Sequence, residues 1–211
     1  MRLIQQRKKI ICMVFALVIA IFAMGILIEQ KALSVEAKMI SVQRRMAKEV
    51  LRFHVLANSD SKEDQALKLQ VKEQVLNFMK EELPESDSAG MTKAWASSHL
   101  GEIEETAEKI IQEQGYNYAV HAEVTTCYFP EKTYGDVTFP KGEYEALRIE
   151  IGEAEGQNWW CVLYPNLCFI DAVHAVVPEE GKKELKSVLD EEEYEMVTAN
   201  TRFKIRWFFF R

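Results

Sequence analysis

The chain opens with an apolar segment of membrane-spanning length. Residues 10–28 form an uninterrupted run of 19 residues without a charge, IICMVFALVIAIFAMGILI. As a helix, a run of that length crosses the ~30 Å hydrocarbon core of a bilayer. Basic residues stand before the run and Glu29 follows it. By the positive-inside rule, the N-terminus is expected in the cytoplasm and everything after the run is expected to be exported.

This segment is expected to be a retained anchor, with a cleaved signal peptide as the alternative. A signal peptide has a shorter apolar region of about 7–15 residues that ends in a site of small residues. Here the best such triplet, Ala23-Met24-Gly25, lies inside the run. The pattern therefore predicts a cytoplasmic tip and membrane helix over residues 1–30, a helical stalk over 31–49, and an extracytoplasmic domain over 50–211.

Beyond the stalk, short apolar runs alternate with helical stripes. Residues 50–57 are rich in β-forming residues and stop at the polar residues 58–60, which predicts a strand and a sharp turn into a helix. Ser61 is the expected N-cap of that helix. Apolar residues then recur at helical spacing up to Pro84, and again over residues 88–114, which predicts two long helices.

The second half of the domain switches to a period of two. Residues 118–125, 147–151 and 159–164 alternate between apolar and polar positions, which predicts three more strands. Residues 130–142 join the first two of these strands, and residues 152–156 are interpreted as a hairpin loop between the last two. The predicted fold is α+β: a mostly antiparallel sheet of about four strands with two long helices packed on one face.

The C-terminal part of the chain is less regular. After Pro178 a short polar helix is expected up to about Leu189, and residues 190–200 are expected to be irregular. Residues 203–210 alternate at first and then become wholly aromatic, a pattern that fits a strand, a docking helix or a basic-aromatic patch at a membrane surface.

Charge is distributed unevenly along the chain. Four basic residues and no acid precede Glu29, which leaves 22 basic residues against 33 acidic ones and a net charge of −11 for residues 29–211. An acidic domain repels nucleic-acid backbones, so neither DNA nor RNA is an expected partner. Hydrophobic residues make up 48% of the chain, enough for a buried core.

Three of the four cysteines fall in the domain that is expected to be exported. Disulfides persist in the oxidising environment outside the cytoplasm. Cys161 and Cys168 bracket a Pro-Asn turn and are the expected disulfide pair, which leaves Cys127 over. The alternative is that all three are small buried apolar residues.

Most signatures of catalysis are missing from the sequence. It contains no Gly-x-Ser-x-Gly elbow, no phosphate-binding glycine loop and no His-Glu-x-x-His, and its four histidines are far apart, so no metal and no cofactor is expected. Cys168, Asp171 and His174 have the residue types of a nucleophile, an orienting acid and a base. They lie too close together on one predicted turn for that arrangement, and Cys168 has a competing disulfide partner.

Two groups of residues are candidate contacts for a partner. The first is the polar cluster at the strand-to-helix junction: His54, Asn58, Asp60 and Asp64. These residues either contact a ligand or partner, or they cap the helix while the histidine is half-buried in the strand. The second group is Trp159 and Trp160, of which one is expected to pack under the helices and the other to be an exposed binding anchor.

Two stretches of the chain resemble the hallmark motifs of the stage II sporulation protein R family. The first is HVLANSDS at residues 54–61, followed by EDQALKL at 63–69. The second is NWWCVLYP at residues 158–165, followed by LCF at 167–169. The resemblance covers about residues 50–210.

The resemblance implies a signalling role without catalytic residues. Members of this family are made in the forespore of endospore-forming bacteria and exported into the space between the two membranes. There they activate the membrane-embedded aspartic protease that processes the sigma-E precursor, which would be the partner here, while residues 10–28 contact lipid. The alternatives are an extracytoplasmic cell-wall hydrolase built on His54, Asp60 and Asp64, and a purely structural membrane-tethered module.

Overall fold

The protein is described from a computed structural model, which covers residues 2–86, 88–165, 168, 179–191 and 193–198. Its internal contacts divide the chain into two units, Met1–Val42 and Gln43–Arg211.

A single helix, α1, occupies the N-terminal region over Arg2–Glu49. The predicted membrane helix and the predicted stalk are therefore both helical. Side chains from residue 11 to residue 37 are all exposed. Among the described residues, α1 is the one helix long and apolar enough to cross a membrane. Because it lies at the N-terminus, it fits a membrane anchor and a signal peptide alike.

The second unit contains the end of α1 and an α+β domain, so the predicted fold class is confirmed. Its elements follow in chain order: β1 Leu51–Leu56, α2 Lys62–Glu82, α3 Ala89–Ser98, α4 Leu100–Glu113, β2 Val120–Phe129, β3 Lys132–Tyr134, β4 Val137–Phe139, β5 Gly142–Ile151, β6 Asn158–Tyr164 and α5 Glu179–Val188. The segment between β2 and β5, expected to be a connection only, contains the hairpin β3–β4.

The main sheet is mixed, in the order β2-β5-β1-β6. Strand β1 runs parallel to β5 and antiparallel to β6, and β2 runs antiparallel to β5. The prediction of a mostly antiparallel sheet is therefore only partly right, and the predicted hairpin between the last two strands is wrong. Residues 152–157, which we name the crossover loop, pass over the end of β1 because β1 lies between β5 and β6.

The two faces of the sheet have different coverings. On the helix face, Phe53 and Val55 of β1 join apolar residues of α2, α4 and β5 in one buried core. On the opposite face, which we name the far face, β1 presents Arg52 and His54, because successive side chains of a strand alternate. Every residue of β1 is buried because the strand is central and covered on both sides.

The second long helix of the prediction is two helices in the structure. At His99 the backbone leaves helical geometry, with φ −118° and ψ 22°, and this residue ends α3 and begins α4. The imidazole Nδ1 lies 2.8 Å from the carbonyl oxygen of Trp95, and the two rings stack at 4.3 Å. The backbone N–H of His99 still donates to the carbonyl oxygen of Trp95 at 3.1 Å, so the break is confined to the dihedral angles of one residue. Three helices therefore cover the helix face.

The remaining local predictions have mixed outcomes. Ser61 is the N-cap of α2, and its side chain accepts a hydrogen bond from the backbone N–H of Asp64, as predicted. The short helix after Pro178 is present as α5. Residues 191 and 193–198 are helical, which corrects the prediction of an irregular segment. The segment 203–210 lies outside the described residues.

Candidate functional site

A buried carboxylate lies at the junction of β1 and α2. Asp64 is 5% exposed and belongs to the first turn of α2. Its Oδ2 accepts hydrogen bonds from Ser59 Oγ at 2.5 Å and from Asn58 Nδ2 at 2.8 Å. The hydrogen bond from Ser59 is the main reason that the pKa of Asp64 lies below its usual range. Hydrogen bonds from Asn58 and Tyr118 also lower this pKa.

The same junction holds the crossover loop against the end of β1. Asn58 Oδ1 accepts from the backbone N–H of Glu153 at 3.0 Å, and Asp60 Oδ1 accepts from the backbone N–H of Gln157 at 2.7 Å. Lys68 Nζ donates to the carbonyl oxygen of Gln157 at 2.8 Å, and burial lowers the pKa of this lysine. A Cβ at Gly156 would overlap the backbone carbonyl of Ser59, so the loop approaches this closely only with glycine there.

The polar cluster therefore has a structural use that differs from simple helix capping. Ser61 caps the helix, whereas Asn58 and Asp60 bond to the crossover loop. The sequence interpretation missed Lys68, Gly156 and Tyr118, the partners that this arrangement requires. Gly156 is the local signal for this close approach, but a glycine in a short loop between two alternating segments is equally typical of a hairpin.

His54 belongs to a different environment, on the far face. It is 5% exposed and stacks on Trp160, with ring centroids 3.9 Å apart and an interplanar angle of 15°. Phe129 lies on another side, and the Sγ of Cys127 is 4.0 Å from Nδ1. Burial, followed by the positive charge of Arg148, lowers the pKa of His54 to about 4, so the imidazole is neutral near pH 7. The structure thus places His54 away from Asp64, which lies on the helix side.

Arg52 occupies an aromatic cage on the far face, a feature that the sequence interpretation missed. The side chain is fully buried, and its guanidinium carbon lies 4.4 to 5.7 Å from four ring centroids, those of Phe129, Phe139, Tyr144 and Tyr134. Its Nη2 donates to Tyr134 Oη at 3.2 Å, and that hydroxyl donates to the carbonyl oxygen of Trp160. Within the described part of the chain, Nε and Nη1 have no hydrogen-bond partner. Contact with the ring faces compensates part of the cost of burying this charge.

Trp159 and Trp160 lie on opposite faces of edge strand β6, as alternation predicts. Trp159 packs at the margin of the core, edge-on to Phe53 at 5.8 Å, and Lys72 Nζ lies 5.1 Å from its ring centroid. Trp160 stacks on His54 rather than standing free. Both indoles are partly exposed, so each offers surface to a partner.

Other candidate chemistry finds little support in the geometry. Asp171 and His174 lie outside the described residues. Among residues that are described, no three of His, Cys, Asp and Glu are placed to hold a metal ion. An open groove of about 420 Å³ between α2 and α4 is lined by residues such as Phe78 and Ile110, and none of the candidate residues lines it.

Comparison with known proteins gives these motifs a common context. The family model of stage II sporulation protein R matches residues 47–174, from the end of α1 past β6. The chain belongs to the stage II sporulation protein R family. It is 36% identical over 152 residues to the stage II sporulation protein R of Bacillus subtilis (strain 168), an alignment that covers 72% of this chain and 68% of that relative. No solved structure matches the chain. Family membership assigns the protein a role in sporulation.

Proposed function

We propose that this chain is an exported signalling protein that activates a membrane aspartic protease, which in turn processes the sigma-E precursor during endospore formation. The observation that carries the proposal is the family match over residues 47–174, which contains both motif segments. The apolar N-terminal part of α1 supplies an export signal or an anchor. The domain then acts outside the cytoplasm, in the space between the forespore membranes.

The state of the polar residues supports binding rather than catalysis. A hydrolase would need convergent titratable groups around one pocket. Here His54 is a buried neutral ring between Trp160 and Phe129, while Asp60 and Asp64 bond to the loop and to the turn. A non-catalytic activator works by binding the active state of the protease more tightly than the inactive state.

The contact surface that we assign is the β6 edge with its two tryptophans. Partly exposed aromatic side chains on a rigid strand are frequent anchors at protein interfaces. The network of Asn58, Asp60 and Asp64 holds the crossover loop that leads into β6, so these residues position the surface instead of forming it. The acidic character of the domain orients its approach to the partner.

Reconstitution in a host without sporulation genes tests the activity. The chain, the protease and the sigma-E precursor are co-expressed, and cleavage of the precursor is measured with and without the chain. Cleavage is expected to depend on the chain and to persist with His54→Gln, because the imidazole takes no part in a reaction. Absence of any dependence, with export and folding verified, would refute the proposed function.

A pair of aromatic substitutions tests the contact surface. Trp159→Ala is expected to reduce cleavage at least tenfold, the effect of losing an anchor worth about 1.4 kcal/mol or more. Tyr128→Ala is the matched control, because Tyr128 is a 54% exposed aromatic residue on the other edge strand, β2. Normal cleavage by a folded Trp159→Ala variant would remove this residue from the interface.

A further inference from the structure

Two cysteines meet at the end of β6. Cys161 faces the helix side and is 3% exposed, and Cys168, four residues beyond the end of the strand, is partly buried against the same core. Both side chains point at one oxygen: the thiol of Cys168 donates to the carbonyl of Val162 at 3.0 Å, and the thiol of Cys161 lies 3.8 Å from that carbonyl. Both are free thiols, and Cys161 is close enough to contribute to the raised pKa of Cys168.

The other two cysteines lie in different parts of the chain. Cys127 lies on the far face, where its sulfur contacts His54, so the sheet separates it from Cys161. Cys12 belongs to the apolar part of α1 in the other unit. The geometry therefore offers one pairing within the domain.

We propose that Cys161 and Cys168 form an intramolecular disulfide in the exported protein and thereby tie residue 168 covalently to strand β6. The proposal rests on the export proposed above. The two thiols lose two protons and two electrons, and one S–S bond forms between them. The oxidant is the disulfide of an extracytoplasmic thiol oxidase, which takes up the electrons and protons and becomes a dithiol.

Burial determines when this oxidation takes place. Attack on a disulfide requires a thiolate, and burial in the core raises the pKa of Cys168 well above its ordinary value. The folded thiol pair is therefore a slow substrate for oxidation, and we expect the bond to form while the chain folds, before both thiols are packed against the core. Once formed, the disulfide reduces the number of conformations that the unfolded chain can adopt, which stabilises the folded domain.

Differential labelling of the full chain tests the proposal. Membranes from cells that export the protein are quenched in acid, denatured and treated with a first alkylating reagent, then reduced and treated with a second. Peptide mass spectrometry is expected to find the second label on Cys161 and Cys168, and the first label on Cys12 and Cys127. Finding the first label on Cys161 and Cys168 would overturn the proposal.

Single substitutions and an export control make the result specific. Cys168→Ala is expected to move Cys161 from the second label to the first, whereas Cys127→Ala is expected to leave both labels of the pair unchanged. Protease added outside the cells reports export independently, and a domain that it cannot reach would overturn the premise of the disulfide. Precursor cleavage reports the proposed function, so an oxidised pair in an inactive protein would refute that function alone.

Discussion

The replacement Asp64→Asn tests the buried carboxylate at the junction of β1 and α2. The substitution keeps the size of the side chain but removes its charge and presents an amide N–H to donors of Ser59 and Asn58. A hydrogen bond to a charged group contributes about 1.5–3 kcal/mol, so we expect a loss of about 2–4 kcal/mol in the free energy of unfolding. That is a large part of the 5–15 kcal/mol typical of a domain.

Urea unfolding of the full chain in mild detergent measures this loss. All four tryptophans lie in the second unit, so their fluorescence reports that unit. Glu63→Gln is the matched control, since Glu63 is the exposed neighbour in the same turn and its change is expected to stay within about 0.5 kcal/mol. Equal unfolding midpoints for the two variants would refute the assigned role of Asp64.

The pH dependence gives a second measurement on the same residue. Because its donors depress the pKa of Asp64 in the folded state, the unfolded chain takes up a proton at a higher pH than the folded chain. The stabilisation is therefore complete above the unfolded pKa of about 3.9 and is lost as the pH falls through the lower folded pKa. Asp64→Asn is expected to remove this loss, and a variant as acid-sensitive as the parent would contradict the assignment.

Three further outcomes follow from buried features. The pKa of His54 is lowered to about 4 in the folded domain, so on acidification this imidazole takes up a proton in the unfolded chain at a higher pH than in the folded chain. Stability is expected to fall by up to about 3 kcal/mol between pH 6.5 and 4, and His54→Gln should flatten that part of a urea-midpoint profile. Arg52→Ala is expected to lower the free energy of unfolding by about 3 kcal/mol or more, because it empties the aromatic cage. Arg52→Met fills the cage without unpaired donors and should lower it far less. Equal unfolding midpoints for the two variants would contradict this. Gly156→Ala should destabilise the domain, because the new Cβ overlaps a backbone carbonyl. Gly101→Ala, in open space on α4, should stabilise it by up to about 1 kcal/mol. Shifts of the same sign in the thermal unfolding midpoint of both variants would contradict the close approach.

Local signals in the sequence were sufficient for most elements and insufficient for their arrangement. The Ser61 cap and the opposite orientations of Trp159 and Trp160 depend on neighbours within a few residues, and both predictions are confirmed. The parallel pairing of Phe53 with Leu147 depends on a partner far along the chain. A short loop between two alternating segments is typical of a hairpin, and nothing local indicates that an earlier strand lies between them.

The candidate site shows the same division. Polar residues at the end of a strand marked the Asn58–Asp64 region, but their role depends on where the crossover loop passes. Arg52 is harder still to find from sequence, because its cage is assembled from rings on β2, β3, β4 and β5. A basic residue within an apolar run has no local mark that distinguishes a buried cation from one that reaches the surface.

The position of β1 also determines when the domain becomes able to fold. This central strand is the first to be synthesised, yet both of its neighbours, β5 and β6, come after every helix of the core. Such non-local pairing is slow to form, and a chain that stops before Tyr164 leaves at least one edge of a strand that is fully buried in the native domain open. Unpaired edges of this kind lead to aggregation. The domain therefore cannot fold completely until β6 has been synthesised and exported. A chaperone that shields β1 until then would raise the yield of the native domain.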